Sequence, residues 1–166
     1  MTDPISIHGD LPCYVCRYNV RGLPYAGDCP ECGTPIEAIV RDSLQLDAET
    51  TRALVEAAHR ARAGLSAIRL VVTAIRHAEL SKRSLDALTH GAGDAPINAS
   101  DIVRAVGEIA VEKTRNRDAA QKFLTAVGVT SGRDIGRIVF AMVDAGLVRA
   151  SAQDRIEDYQ DLPILR

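Results

Sequence analysis

The chain has 166 residues, 46% of them hydrophobic and 25% charged, with a formal net charge of −2. This is enough apolar material for one modest core, alone or beside a small stapled module, while no apolar run approaches the roughly 20 residues of a membrane span. Tryptophan is absent and only Phe123, Phe140 and four tyrosines are aromatic, so a core must be built from Ala, Val, Ile and Leu, which suits close helix packing.

From the N-terminus, Met1–Asp10 has no signal-peptide pattern. All four cysteines then fall in two CxxC pairs, Cys13–Cys16 and Cys29–Cys32, separated by twelve residues. Two short thiolate turns at this separation can place four sulfurs around one tetrahedral ion, for which zinc is the usual occupant. A disulfide or redox pair would need only one such motif, and no βαβ pattern surrounds either. Four thiolates also close the coordination sphere, which disfavours catalytic zinc. The expectation is one structural zinc per chain on Cys13, Cys16, Cys29 and Cys32, in reduced, cytoplasmic surroundings. His8 lies outside the paired spacing and reads as a flexible N-terminal histidine.

Between the pairs, Gly22, Pro24 and Gly27 mark turns, and Tyr14, Val15, Tyr18, Val20, Leu23 and Tyr25 are expected to form a small apolar layer. Such a segment depends on metal for folding. Gly33 suits the left-handed turn after the second pair, whereas Arg17 occupies the matching place after the first. Pro35–Val40 reads as the last strand of a hairpin module spanning residues 1–42.

The next unit, 43–88, reads as helix from Leu44 to Leu80. Leu54, Ala58, Ala61, Leu65, Ile68, Val72 and Ile75 form one apolar stripe, with a possible break at Gly64 into two helices. The stripe suits antiparallel packing or self-association. His59 and His77 would lie on one face of a continuous helix but about 27 Å apart. Residues 89–97 form a linker, with Thr89–Pro96 its clearest part. Within 98–150, Asn98 with Asp101 and Ser131 with Asp134 are N-cap signals. They open helices carrying Ile102, Val103, Val106, Ile109 and Ala110, then Ile135, Ile138, Val139, Met142 and Val143. Between them, Asn116–Val127 turns Phe123, Leu124 and Val127 inward and stops at Gly128. Leu147–Arg149 reads as a short strand after Gly146. The acidic tail 151–166 is expected on the surface, anchored by Tyr159, Leu162 and Ile164.

Two resemblances follow from these residues. Cys13, Cys16, Tyr18, Arg21–Pro24 and Cys29–Gly33 resemble a Cys₄ zinc ribbon common in planctomycete bacteria; Arg17 departs from it, since glycine is usual there. The match covers about 25 residues and implies metal binding but no activity. Asp134-Ile-Gly136-Arg-Ile-Val139-Phe140, Val143–Leu147, Ala119–Leu124, Gly128-Val129 and the acidic stretch Asp154–Asp161 resemble an uncharacterised bacterial family of small all-helical proteins. A proline- and tyrosine-rich segment expected upstream in that family is missing here, and the likeness implies fold without function.

The fold class expected is therefore a small zinc ribbon of short β hairpins plus a mainly α-helical bundle, winged-helix-like at its C-terminal end. Charge divides along the chain, with residues 1–50 at about −5, 51–90 at about +4, 91–110 at about −2, 111–150 at about +3 and 151–166 at about −2. Helix faces of mixed sign account for the basic segments. The leading functional expectation is a non-enzymatic adaptor or architectural protein that binds another protein. The alternative is a DNA- or RNA-binding regulator in which the helices at 116–127 and 131–145 form a helix-turn-helix. Arg133 and Arg137 would then face bases, with Lys113, Arg115, Arg117, Lys122 and Arg149 on phosphates. An enzyme stands third, since no nucleophile, phosphate loop or histidine pairing supports one.

Overall fold

The computed structural model describes residues 4–89, 97–149 and 154–165. Six helices follow a helix-free N-terminal segment: α1 (Ile36–Leu44), α2 (Ala48–Ala61), α3 (Leu65–Thr89), α4 (Ala99–Thr114), α5 (Arg117–Val127) and α6 (Gly132–Asp144). Among the described residues one 3₁₀ turn, Ile156–Tyr159, follows α6. Past Thr89, the expected linker lies outside the described residues. No helix among them is long and apolar enough to cross a membrane.

Local chemistry sets most of the boundaries. Asn98 accepts from the Asp101 N–H while Asp101 accepts from the Asn98 N–H, a reciprocal capping box at the start of α4. Ser131 and Asp134 repeat it at α6. There Asp134 also accepts from the Thr130 hydroxyl and N–H and from Arg137 at 2.9 Å. Burial works against ionisation of this carboxyl, yet those donors carry it below the ordinary carboxylate value. Gly128 ends α5 in the left-handed region at φ +80°. Caps of this kind contribute about 1 kcal/mol each.

The stripe of the second unit splits where Gly64 allowed it to. Arg62 caps α2 in a left-handed conformation and α3 starts at Leu65. Leu54, Ala58, Ala61, Leu65, Ile68 and Ile75 are buried and Val72 is half-buried. The stripe thus packs within the chain's own core. Helix α3 packs on α4, α4 on α5, and α6 on α2 and on the 3₁₀ turn. The consecutive pair α5 and α6 thus faces two different neighbours.

Two expectations are corrected. Ile36–Val40 is helical, because Ile36, Ile39, Val40 and Leu44 recur at the helical period and all are buried. Among the described residues there is no strand after α6: Gly146, at φ +72°, lets the Leu147 N–H reach the Met142 carbonyl, and the chain bends away without pairing. The winged-helix strand is therefore not formed there. The tail has Tyr159 as an anchor, as expected. Tyr159 is 4% exposed, and its ring stands edge-on to Phe140 with centroids 6.4 Å apart.

Glycines inside helices make room for this strap. A Cβ on Gly136 would lie 2.9 Å from the Tyr159 ring, one on Gly132 would collide with the Tyr159 carbonyl, and one on Gly107 with that of Ile164. Burial, then the Asp154 and Asp158 carboxylates, push the Tyr159 hydroxyl well above its usual range. Gly136→Ala is expected to destabilise the protein by about 2 kcal/mol through overpacking. In a Tyr159→Gly background, which also removes the Tyr159 Cβ that would lie 2.9 Å from the added methyl, the same change should instead stabilise α6 by up to about 1 kcal/mol, the helix-propensity difference. Urea unfolding of the four proteins of this cycle reads both values.

Candidate metal centre

The N-terminal segment contains neither helix nor named strand among its described residues, and the hairpins of a ribbon are not formed as such. Its backbone order comes from three isolated antiparallel bridges: Ser6 with Pro24, Pro12 with Asn19, and Asp28 with Pro35. These carry two turns of matching construction. In the first, the Arg17 N–H donates to the Cys13 carbonyl at 2.9 Å and the Cys13 N–H to the Tyr18 carbonyl at 2.8 Å. In the second, Gly33 donates to the Cys29 carbonyl and Cys29 to the Thr34 carbonyl, both at 2.8 Å. Arg17 (φ +66°) and Gly33 (φ +70°) hold the same left-handed position.

The turns face one another so that all four sulfurs lie within 4.8 Å. Cys13 Sγ is 3.7 Å from Cys32 Sγ, and Cys16 Sγ is 3.6 Å from Cys29 Sγ. A regular tetrahedron with metal–sulfur bonds of about 2.3 Å has sulfur–sulfur edges of about 3.8 Å, so the spacing fits one such ion held by all four cysteines. Separations of this size also exclude S–S bonds, which need about 2.05 Å, and all four cysteines are free.

Peptide N–H groups surround the sulfurs. Burial opposes ionisation of Cys13, but the N–H groups of Cys16 and Val15 carry its thiol below the ordinary value. The Thr34 hydroxyl, 3.1 Å away, and the Thr34 N–H draw Cys32 down to about 6. At Cys16 the Tyr18 N–H lowers the thiol, yet burial and contacts with Cys32, Cys29 and Cys13 together push it up to about 12. The backbone thus favours some thiolates while their proximity resists a full set. A divalent cation resolves that conflict, since ligation takes the sulfurs deprotonated and releases their protons. Thr34 is a supporting residue the sequence reading passed over; its place two residues after Cys32 was the available signal.

The apolar layer differs from expectation. Val20 and Tyr25 are buried and Leu23 is half-buried, but Tyr14, Val15 and Tyr18 are exposed. Sulfurs occupy the inward positions of the first turn, so the residues around them point outward. Ile7 and Leu11, ahead of the cysteines, supply the missing apolar cover and join Ile36, Ile39 and Val40 in one core with the helices.

His8 is not a flexible bystander. Its Nε2 lies 3.3 Å from Nδ1 of His59. His77 is on a different helix from His59 and pairs with Glu108 at 3.4 Å. The seven basic candidates are spread over α4, α5, α6 and the segment after α6. Lys113 sits 4.7 Å above the Phe123 ring, Arg117 donates to the Leu165 carbonyl at 3.1 Å, and Arg137 pairs with Asp134. Arg115 caps α4 in the left-handed region. Lys122, Arg133 and Arg149 are exposed.

No family model matches this chain, and neither curated proteins nor solved structures give a match. The metal-site reading therefore rests on the four cysteines themselves.

Two outcomes are expected. Titration with a thiol reagent should release one zinc per four thiols, whereas substoichiometric metal with a Cys13–Cys16 disulfide would overturn the assignment. Arg17→Gly should stabilise the metal-loaded protein by about 1 kcal/mol, the cost of a left-handed non-glycine residue less the added freedom of the unfolded chain, as read by denaturation at constant free zinc.

Proposed function

We propose that this protein is a non-enzymatic, zinc-containing adaptor whose first cysteine turn docks another protein. The observation behind this reading is the surface that turn presents. Tyr14, Val15 and Tyr18 are 48%, 58% and 41% exposed, and Tyr14 and the 37% exposed Leu46 border a shallow concavity whose other lining is Ala38, Arg41, Asp42 and Gln45. Aromatic and aliphatic groups held on a metal-rigidified backbone lose little freedom on binding, and exposed apolar clusters of this kind mark interaction sites. The second turn exposes Pro30, Glu31 and Gly33 instead, which makes the surface one-sided. Zinc is the ion that best suits four thiolates in a closed tetrahedral set, and that closure leaves no position for substrate water.

The planctomycete-type ribbon pattern of Cys13–Gly33 fits this reading, because it implies metal binding without an attached chemistry. A nucleic-acid role would draw on Lys122, Arg133 and Arg149, with part of the remaining basic set already engaged within the chain.

A double variant, Tyr14→Ser with Val15→Ser, separates the two roles. It is expected to keep one zinc per chain and its thermal stability while losing a protein partner that the wild type retains after nuclease treatment. Partners unchanged by the variant would overturn the reading. Partners removed by nuclease, with binding that weakens steeply with salt, would assign the surface to nucleic acid.

A further inference from the structure

Residues Ser6–Gly9 lie across the turn between α2 and α3, and the contact there is made of unusual parts. Gly9 and Gly64 meet backbone to backbone: a Cβ on Gly9 would lie 2.9 Å from the Gly64 Cα, and one on Gly64 would lie 3.3 Å from both the Gly9 Cα and the His8 carbonyl oxygen. Beside this crossing, the Ser6 N–H donates to His59 Nδ1 at 3.3 Å, and His8 Nε2 approaches the same nitrogen at 3.3 Å. The two rings are tilted by 42° with centroids 5.4 Å apart.

This arrangement has a definite proton requirement. His59 Nδ1 accepts from a peptide N–H, so it carries no proton, and the neutral ring holds its hydrogen on Nε2. His8 Nε2 must then be the donor in the second contact. A proton added to His59 Nδ1 sets an N–H against the Ser6 N–H and another against the His8 N–H. Both contacts are lost together.

We propose that His8 and His59 form a proton-operated latch that holds the N-terminal segment of the metal module on the α2–α3 turn at neutral pH and releases it under mild acid. The charges around it reinforce the direction. Burial lowers the proton affinity of His8, followed by the charges of His59, Arg62 in the α2–α3 turn and Arg21 in the metal module. Arg21 is paired with Asp10 at 3.5 Å, and Glu56, one turn before His59 on α2, is held by Arg52 at 3.1 Å. The neighbouring carboxylates thus have cationic partners already. A histidine held below its reference value of 6.5 in the closed state takes up a proton on opening. The closed contact therefore contributes fully above that value and loses strength as pH falls below it.

The test uses the full-length, zinc-loaded protein. Amide exchange at Ser6, corrected for the intrinsic pH dependence, is followed from about pH 7.5 to about 5.5 alongside zinc content. Wild type is expected to lose about tenfold in protection for each pH unit below the transition. A His8→Gln, His59→Asn double variant, whose side-chain amide donor and Oδ1 acceptor can keep the contact without titrating, should show no such fall. A fall shared equally by both proteins, through zinc loss or any other route, would overturn the latch, as would constant protection in wild type. Should the double variant fold poorly, proton-NMR titration of the wild-type histidines decides. His8 must titrate below 6.5 in the same window as Ser6 exposure, and an ordinary His8 titration refutes the proposal.

Discussion

Thirty or so residues without a helix or an extended ladder cannot order themselves through burial alone, and in this chain four sulfurs take over that task. Their spacing forces each CxxC pair into a turn in which peptide N–H groups point at the thiols, so the same backbone that chelates also lowers the proton affinity of Cys13 and Cys32. Ile7, Leu11 and Val20 are then held against the helices as one continuous core. The helices in turn provide the surface on which the module sits. A metal held by the four sulfurs would be coupled to burial through this shared layer, so that loss of either would remove support from the other.

Where the parts of the molecule meet, side chains are often missing. Gly9 against Gly64 joins the module to the helices, and Gly107, Gly132 and Gly136 receive the C-terminal strap. A glycine inside a helix costs about 1 kcal/mol relative to alanine, so positions of this kind persist only where close approach repays it. At α6 the return is the burial of Tyr159 against the helix and the ring of Phe140. This also gives a physical account of why the Gly136 motif and the acidic tail occur together in the sequence: they are two sides of one contact.

Much of this was legible in the residues. Spacing alone assembled the cysteine set, because metal ligands near in sequence need few long-range decisions. Helix starts at Asn98 and Ser131 and the stop at Gly128 followed from local hydrogen bonding. Long-range facts were harder. Ile36–Val40 has too few residues to separate the two periods, and only packing of Ile36, Ile39 and Val40 on one side decides for a helix. Outward-facing Tyr14 and Val15 could not be told from core residues by type. The meeting of His8 with His59 spans fifty residues of chain and required the fold. Helix-interior glycines at 107 and 136 were an unread signal for the strap, since no cap or turn explained them.

The matched backbone of the two cysteine turns carries one last implication. Chelation there would use the cysteine sulfurs, supported by peptide N–H groups of the turns, the Thr34 hydroxyl and a left-handed residue after each pair. The side chains at positions 14, 15, 30 and 31 take no part in it. The ligand set and the outward side chains are therefore written in separate letters of the same short words. Substitution can repaint either face of the centre, apolar at Tyr14–Val15 and acidic at Glu31, while the coordination beneath it stays as it is.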